Sequence, residues 1–281
     1  MKRKFNVFSL CFVLLFSCGG RKVSNYDRTA AAYGRSAYNC FRDGNFAEAK
    51  KLYRRALISA GRSDMPHQRA RYFFNIGRVL FEEGEYDSAN QYFILSQDEF
   101  MFLGDSLTAS SAAAFICLTY ISRGEIDSAR MISGMSYPER DHILWSMVQG
   151  RVLMAGGKVS EAEKEFRVAA LKQRKKKDFG GLALNCYYRG SLALSSKDFQ
   201  RGRELFDSSL VLLDKVPERY SRYRVLLGYS KLEFCSGAEE RGLRYYRRAQ
   251  ECVPVGIGIP ALEDIKSCSD LRESVDQATA R

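Results

Sequence analysis

The sequence predicts an all-α fold in which about six helical hairpins stack as a solenoid. A six-residue unit, Gly84-Glu85-Tyr86-Asp87-Ser88-Ala89, returns along most of the chain. The steps between the last residues of its copies are 40, 40, 33, 40 and 40, and these residues are Ala49, Ala89, Ala129, Ala162, Gly202 and Gly242. A period of this size indicates stacked helix pairs. With 46% hydrophobic residues and no Pro-rich or Gly/Ser-rich linker, the repeats favour one continuous core.

The unit itself describes the turn of a helical hairpin. Gly84 enters the left-handed C-cap conformation at little cost, so it ends the first helix. The acidic residues that follow lie near the exposed amide groups of the next helix, where negative charge is favourable. Tyr86 and Ala89, three residues apart, share a helix face.

A second set of positions predicts how the two helices of a hairpin pack. Twelve residues before each closing residue the first helix has a small or thiol side chain. Four residues after the closing residue the second helix has a large one in most units. The first set is Ala37, Gly77, Cys117, Gly150, Gly190 and Ser230, and the second is Tyr53, Phe93, Phe166, Phe206 and Tyr246. Small residues facing large ones let the helices nest.

These correlated positions resemble the tetratricopeptide repeat (TPR) family over roughly residues 30–252. The resemblance implies a right-handed superhelix whose concave face is lined by the first helix of each hairpin. Most units are longer than the family's period of about 34 residues. The third unit departs further, with Ser133 at the large position.

The predicted elements follow in order through a repeat domain of residues 29–252. Helices are expected at Thr29–Arg42 and Phe46–Ala60 for unit one. The next units are expected at about 66–103, 105–136, 139–177 and 178–214, and unit six runs from Pro217 to Cys252. Residues 253–281 are predicted as a loop followed by an amphipathic capping helix, Ala261–Ala278.

The N-terminus predicts export and lipidation. Residues 1–17 combine a basic start with a short apolar run, which is typical of a signal peptide. The run ends Leu15-Phe16-Ser17-Cys18, which resembles the bacterial lipobox, so Cys18 is the expected lipidation site and residues 18–28 the tether. Without an Asp after Cys18, the bacterial outer membrane is the expected location, with the periplasmic or surface face left open. The alternative is an ordinary cleaved signal peptide.

Charge and reactive side chains exclude several functions. Of the formal charge of +11, the predicted signal peptide carries three basic residues. The run Lys172–Lys177 is interpreted as a solvated helix end, and contact with anionic lipid is the alternative. Nucleic acid is a poor partner for an exported protein. No metal, cofactor or nucleophile motif occurs, and His67 and His142 are expected at helix starts, so no enzyme is predicted.

The cysteines are expected to be mainly buried free thiols. Cys40, Cys117 and Cys186 fall at core-like positions of separate helices. Cys252 with Cys268 is the pair predicted to be worth testing for a disulfide.

The concave face gives the candidate binding residues. Aligning the repeats places aromatic and basic side chains there: Tyr38, Phe41, Arg71, Phe74, Arg78, Phe81, Arg151, Met154, Tyr187, Arg224 and Lys231. Arginines hold carboxylates with two hydrogen bonds and aromatic rings add contact area, so an acidic or C-terminal peptide segment is the predicted ligand. Alternatively, the rings pack between hairpins and the arginines are solvated.

The predicted function is therefore a membrane-anchored scaffold for protein–protein interaction in the bacterial envelope. A surface adhesin and a TPR component of a periplasmic solute or lipid transport system are the alternatives. The oligomeric state and the partner are left open.

Overall fold

A computed structural model describes residues 25–216 and 218–268, and every regular element in these residues is a helix. The predicted signal peptide, Cys18, most of the tether, Pro217 and residues 269–281 lie outside the described residues. The helices are α1 (Asn25–Arg42), α2 (Phe46–Arg62), α3 (Pro66–Glu82), α4 (Tyr86–Phe102), α5 (Ser106–Ser122), α6 (Ile126–Gly134), α7 (His142–Ala155), α8 (Val159–Lys176), α9 (Phe179–Ser195), α10 (Phe199–Leu213), α11 (Arg219–Cys235), α12 (Glu239–Cys252) and α13 (Leu262–Lys266).

The first twelve helices form six consecutive hairpins, which confirms the predicted solenoid. We call the odd-numbered helices α1 to α11 the inner helices and their partners α2 to α12 the outer helices. Helix α1 begins at Asn25, within the segment predicted as tether, because no glycine or proline interrupts the helix before Thr29. Helix α2 ends two residues later than predicted, at Arg62.

The hairpin turns adopt the predicted left-handed conformation. Gly84 has φ +80°, and its turn is closed by a 2.9 Å hydrogen bond from the Glu85 amide to the Leu80 carbonyl. In unit five the equivalent residue is Lys197, which has φ +59°. This conformation is less favourable for lysine than for glycine, because lysine has a Cβ atom.

The small-against-large packing is also confirmed. A Cβ placed on Gly77, Gly150 or Gly190 would lie 2.8, 2.6 or 2.8 Å from an aromatic carbon of the outer helix. The rings concerned are those of Phe93, Phe166 and Phe206, all fully buried. Each glycine therefore sets how closely the two helices of its hairpin approach.

The short outer helix of unit three explains why one step of the repeat is 33 residues and the others are 40. This helix, α6, has 9 residues, whereas the other outer helices have 14 to 18. Ser133 replaces the large residue, and the chain then leaves the helix for a connection whose Tyr137 stacks on Trp145 of α7, with ring centroids 5.5 Å apart. Trp145 belongs to the core cluster of this unit, and Tyr137 packs against that cluster.

The C-terminal segment covers hairpin six as predicted, but the capping helix is shorter than expected. Helix α13 ends at Lys266, and Ser267 has an extended backbone that stops it. Ile265 is buried in the core at 1% exposure. The hydroxyls of Tyr223 and Tyr246 donate to the Gly258 and Pro260 carbonyls at 3.0 and 2.7 Å. These contacts bind the segment along the last hairpin.

The predicted pairing of Cys252 with Cys268 is wrong, because Cys268 forms a disulfide with Cys235. Residues 253–268 run back along α11 from its start to its end, so Cys268 arrives beside Cys235, with the Cα atoms 5.7 Å apart. Cys252 lies at the other end of this path. Cys117 and Cys186 are buried free thiols, as predicted, and Cys40 and Cys252 are half-buried free thiols.

The sequence did not predict that hairpin one would touch hairpin six. The Phe46 and Tyr220 rings meet edge to face with centroids 5.1 Å apart. In the preceding turn, Gly44 is so close to Pro254 that a Cβ at residue 44 would lie 2.1 Å from the Pro254 Cβ. We call this pair of contacts the closing contact, because it joins the two ends of the solenoid.

Candidate binding site on the inner helices

The inner helices pack against one another across the solenoid. Helix α5 contacts α7, and α9 contacts both α7 and α11. Side chains at equivalent repeat positions of these helices therefore share one face, and this face holds the candidate site.

Arg78 of α3 forms the first part of the site. Its guanidinium carbon lies 4.6 Å from the centre of the Phe41 ring and 5.9 Å from that of Phe115. Phe74 contacts Phe115 edge to face, with centroids 5.0 Å apart. Three inner helices thus place a cation between aromatic rings, an arrangement that is favourable by about 0.5–2 kcal/mol.

Arg151 and Arg224 form the second part around two adjacent tyrosines. Arg151 is 6% exposed and lies 4.9 Å from the Tyr188 ring centre. Arg224 lies 5.2 Å from the Tyr187 ring and 5.8 Å from the Tyr220 ring, and its Nη2 donates to the Tyr188 hydroxyl at 3.5 Å. The Nε atom of Arg224 is enclosed and has no hydrogen-bond partner among the described residues.

One carboxylate approaches this second part. Burial, together with the nearby Glu82 carboxylate, raises the pKa of the Tyr220 hydroxyl well above its ordinary value. Tyr220 therefore stays neutral and can donate a hydrogen bond. Neither Arg78 nor Arg224 forms an ion pair with a carboxylate of the described residues.

The structure brings together some of the predicted site residues and separates others. Phe41, Phe74, Arg78, Arg151, Tyr187 and Arg224 line the site described above. Tyr38 is 48% exposed and lies against Arg42 at 5.8 Å, and Arg71 is exposed. Phe81 packs on Tyr86 at 5.4 Å inside the hairpin, Met154 is packed against the core, and Lys231 is buried at 5% exposure. Of the four predicted residues on α3, Phe74 and Arg78 line the site, whereas Arg71 and Phe81 do not.

Four contributing residues were missing from the sequence prediction: Glu82, Phe115, Tyr188 and Tyr220. Phe115 and Tyr188 each stand two residues before the small residue of their inner helix, at Cys117 and Gly190. This shared register position was a signal in the sequence. Tyr220 belongs to the closing contact and Glu82 lies near Tyr220, and the sequence carries no such signal for either residue.

The comparisons with known proteins agree with this architecture. Residues 28–95 match the tetratricopeptide repeat family, so the first two hairpins carry this repeat. No curated protein matches the chain. Tetratricopeptide repeats support a role in protein–protein interaction.

Solved structures that match this chain share little sequence with it. A Rap protein complexed with competence and sporulation factor is 11% identical, with a TM-score of 0.46, and the match covers 80% of this chain and 54% of that one. The Rap conjugation gene regulator of plasmid pLS20, in complex with the Phr* peptide, is 14% identical, with a TM-score of 0.46 and coverages of 86% and 59%. BtubC of P. vanneervenii is 14% identical, with a TM-score of 0.36 and coverages of 82% and 91%. The chain thus spans little more than half the length of the two Rap proteins.

Proposed function

We propose that the protein is a lipid-anchored interaction protein of the bacterial envelope that binds an acidic peptide segment of a partner on its inner helices. The observation that carries this proposal is the pair Arg78 and Arg224. Both guanidinium groups lie over aromatic rings and neither has an ion pair within the described residues.

The chemistry of this site favours a carboxylate ligand. A guanidinium group that is partly withdrawn from water gains more from an incoming anion than a solvated one does. Its planar donors match the two oxygens of a carboxylate. The Phe41, Phe115 and Tyr187 rings offer apolar area beside those donors, which suits the aliphatic stems of glutamate side chains. The repeats provide no nucleophile or metal motif, so the proposed role is non-enzymatic.

The anchor rests on the sequence alone. The signal-like residues 1–17 and Cys18 support lipidation at the outer membrane. No helix within residues 25–216 or 218–268 is long and apolar enough to cross a membrane. An anchor at Cys18 would hold the repeats beside the bilayer through a short tether, and the acyl chains would supply the membrane affinity.

Binding of defined peptides tests the ligand. Fluorescence anisotropy would compare a labelled glutamate-rich decapeptide having a free C-terminal carboxylate with its glutamine counterpart, using the full chain. We expect the acidic peptide to bind at least about tenfold more tightly. Arg78→Gln and Arg224→Gln should each weaken its binding by about tenfold or more. The matched control is Arg130→Gln on the exposed face of α6.

Equal binding of the two peptides, or full retention of binding by both inner-helix variants, would refute the acidic-peptide ligand. Cys18→Ala combined with labelling by an alkyne analogue of palmitate tests the anchor, and a label that persists in the variant would contradict lipidation at Cys18. Protease treatment of intact cells separates the adhesin alternative, because only a surface-exposed protein is digested. Solute or lipid that co-purifies with the chain would favour the transport alternative.

A further inference from the structure

A cleft of about 510 Å³ opens between α8, α9 and α10, away from the inner-helix site. Four of its lining residues are arginines: Arg167, Arg174, Arg189 and Arg201. We call it the arginine cleft. It lies where hairpins four and five meet, so its geometry is set by the packing of two repeats.

Three of these arginines converge on one oxygen atom. Glu163 Oε1 accepts from Arg167 Nε at 2.8 Å, from Arg189 Nη2 at 2.8 Å and from Arg201 Nη2 at 2.5 Å. The Glu163 side chain is 15% exposed. Burial raises its pKa, but the hydrogen bonds from Arg189 and Arg167 outweigh burial, so the pKa is lowered and the group stays anionic.

Four guanidinium groups face the three carboxylates of Glu163, Asp198 and Glu204, so the cleft has one positive charge in excess. One carboxylate faces three guanidinium groups, each with up to five N–H donors in a fixed fork. The fourth, Arg174, lines the cleft without an ion pair among the described residues. Of the two lining acids, Asp198 is occupied as the N-cap of α10, accepting from the Arg201 amide at 3.2 Å. Glu204 is the other.

Arg174 also connects the cleft with the basic end of α8. It belongs to the run Lys172–Lys177, whose last turn holds Arg174, Lys175 and Lys176. The run was interpreted from the sequence as a solvated helix end. Arg174 is exposed, as expected for a solvated end, and it also lines the cleft.

We propose that the arginine cleft is a binding site for a phosphate monoester. A phosphate presents three acceptor oxygens and close to two negative charges, so it can receive several guanidinium donors at once. Glu163 holds three guanidinium groups towards one point before the ligand arrives, which lowers the entropy lost on binding. The volume admits a glycerol or sugar attached to the phosphate. Lipid headgroups and soluble esters both offer such a phosphate, and the chemistry of recognition is shared.

Isothermal titration calorimetry on the full chain tests the proposal with two probes. Glycerol 3-phosphate represents a soluble ester, and dihexanoyl phosphatidic acid carries the same phosphate on a short-chain lipid. Dihexanoyl phosphatidylcholine, which lacks the monoester, is the negative control. We expect a Kd below about 1 mM for at least one phosphate monoester. Similar affinities would assign the site to soluble esters, and a tenfold preference for the lipid would assign it to headgroups.

Two variants locate the binding. Arg174→Gln changes an arginine outside the Glu163 network, so the fold should persist, and Arg201→Gln removes one of the three converging donors. Each should weaken phosphate binding by at least about tenfold, while Arg130→Gln on α6 leaves it unchanged. Thermal unfolding of each variant checks that the repeats remain folded.

Absence of heat with both monoesters, or unaltered affinity in Arg174→Gln and Arg201→Gln, would overturn the proposal. The site does not depend on the proposed peptide ligand, because neither Arg78 nor Arg224 lines the arginine cleft. Loss of peptide binding in those variants with phosphate binding intact would therefore separate the two.

Discussion

Glu233 is buried at 1% exposure and is paired with two arginines from the neighbouring outer helices. Arg203 donates from Nε and Nη2 to its two carboxylate oxygens at 2.8 and 3.0 Å, and Arg241 lies at 3.3 Å. The paired hydrogen bonds raise the pKa of Arg203, so the guanidinium keeps its proton. At the scale of single residues, a carboxylate on one inner helix thus connects two outer helices.

Glu233→Gln should lower the free energy of unfolding by about 3 kcal/mol, because a neutral amide leaves a partly buried guanidinium without its counter-ion. Urea denaturation followed by circular dichroism measures the change. The control is Glu240→Gln, whose side chain is 95% exposed and 4.0 Å from Arg244. It should change stability by less than about 0.5 kcal/mol. Equal effects of the two substitutions would show that the Arg203 pair contributes no more than a surface ion pair.

At the scale of elements, the inner glycines set the spacing within each hairpin. Gly150 on α7 faces the Phe166 ring of α8, and both lie in the middle of their helices. The same pairing occurs at Gly77 with Phe93 and at Gly190 with Phe206. The glycine is therefore required by the distance between helices and not by a turn.

Gly150→Ala should destabilise the protein by about 1–3 kcal/mol, because the new Cβ would lie 2.6 Å from a Phe166 ring carbon and force the helices apart. The matched control is Gly61→Ala in α2, where a Cβ meets nothing within 4 Å. That substitution should be neutral or stabilising by up to about 1 kcal/mol. Thermal unfolding of the two variants gives the comparison. Unchanged stability in Gly150→Ala would mean that Phe166 moves aside freely.

Because the six units repeat, their helices could be predicted from the sequence. The features that were missed depend on contacts that the repeat does not encode. Local spacing within each unit determined all six hairpins and the left-handed turns at residues such as Gly84. Helix α13 was predicted too long because apolar spacing alone does not show that Ser267 turns the chain towards Cys235. In the site, Arg78, Arg151 and Arg224 followed from the register. Tyr220 and Glu82 depend on the curvature of the whole solenoid, which sums small rotations between hairpins that no single unit encodes.

At the scale of the whole molecule, the Cys235–Cys268 disulfide fixes the C-terminal segment to the last hairpin. The two cysteines are 33 residues apart in sequence, and the loop they close contains α12 and the segment with Ile265. A crosslink of this length restricts the unfolded chain more than the folded one.

Reduction should therefore destabilise the protein by about 3–4 kcal/mol in the chain-entropy account. Urea unfolding with and without a phosphine reductant measures the difference. The double variant Cys235→Ser, Cys268→Ser should match the reduced wild type and respond no further to the reductant. Cys252→Ser is the control that keeps the bond. A wild type that reductant does not affect would contradict a stabilising disulfide.

The closing contact also has a consequence for the order in which the protein can complete its fold. Phe46 packs on Tyr220, which follows it by 174 residues. Hairpins one to five form from contacts between residues close in sequence, so each can fold as soon as its own residues are available. The contact of Phe46 with Tyr220 must wait, and this aromatic surface stays uncovered until hairpin six has formed. The last step of folding therefore joins hairpin six to hairpin one.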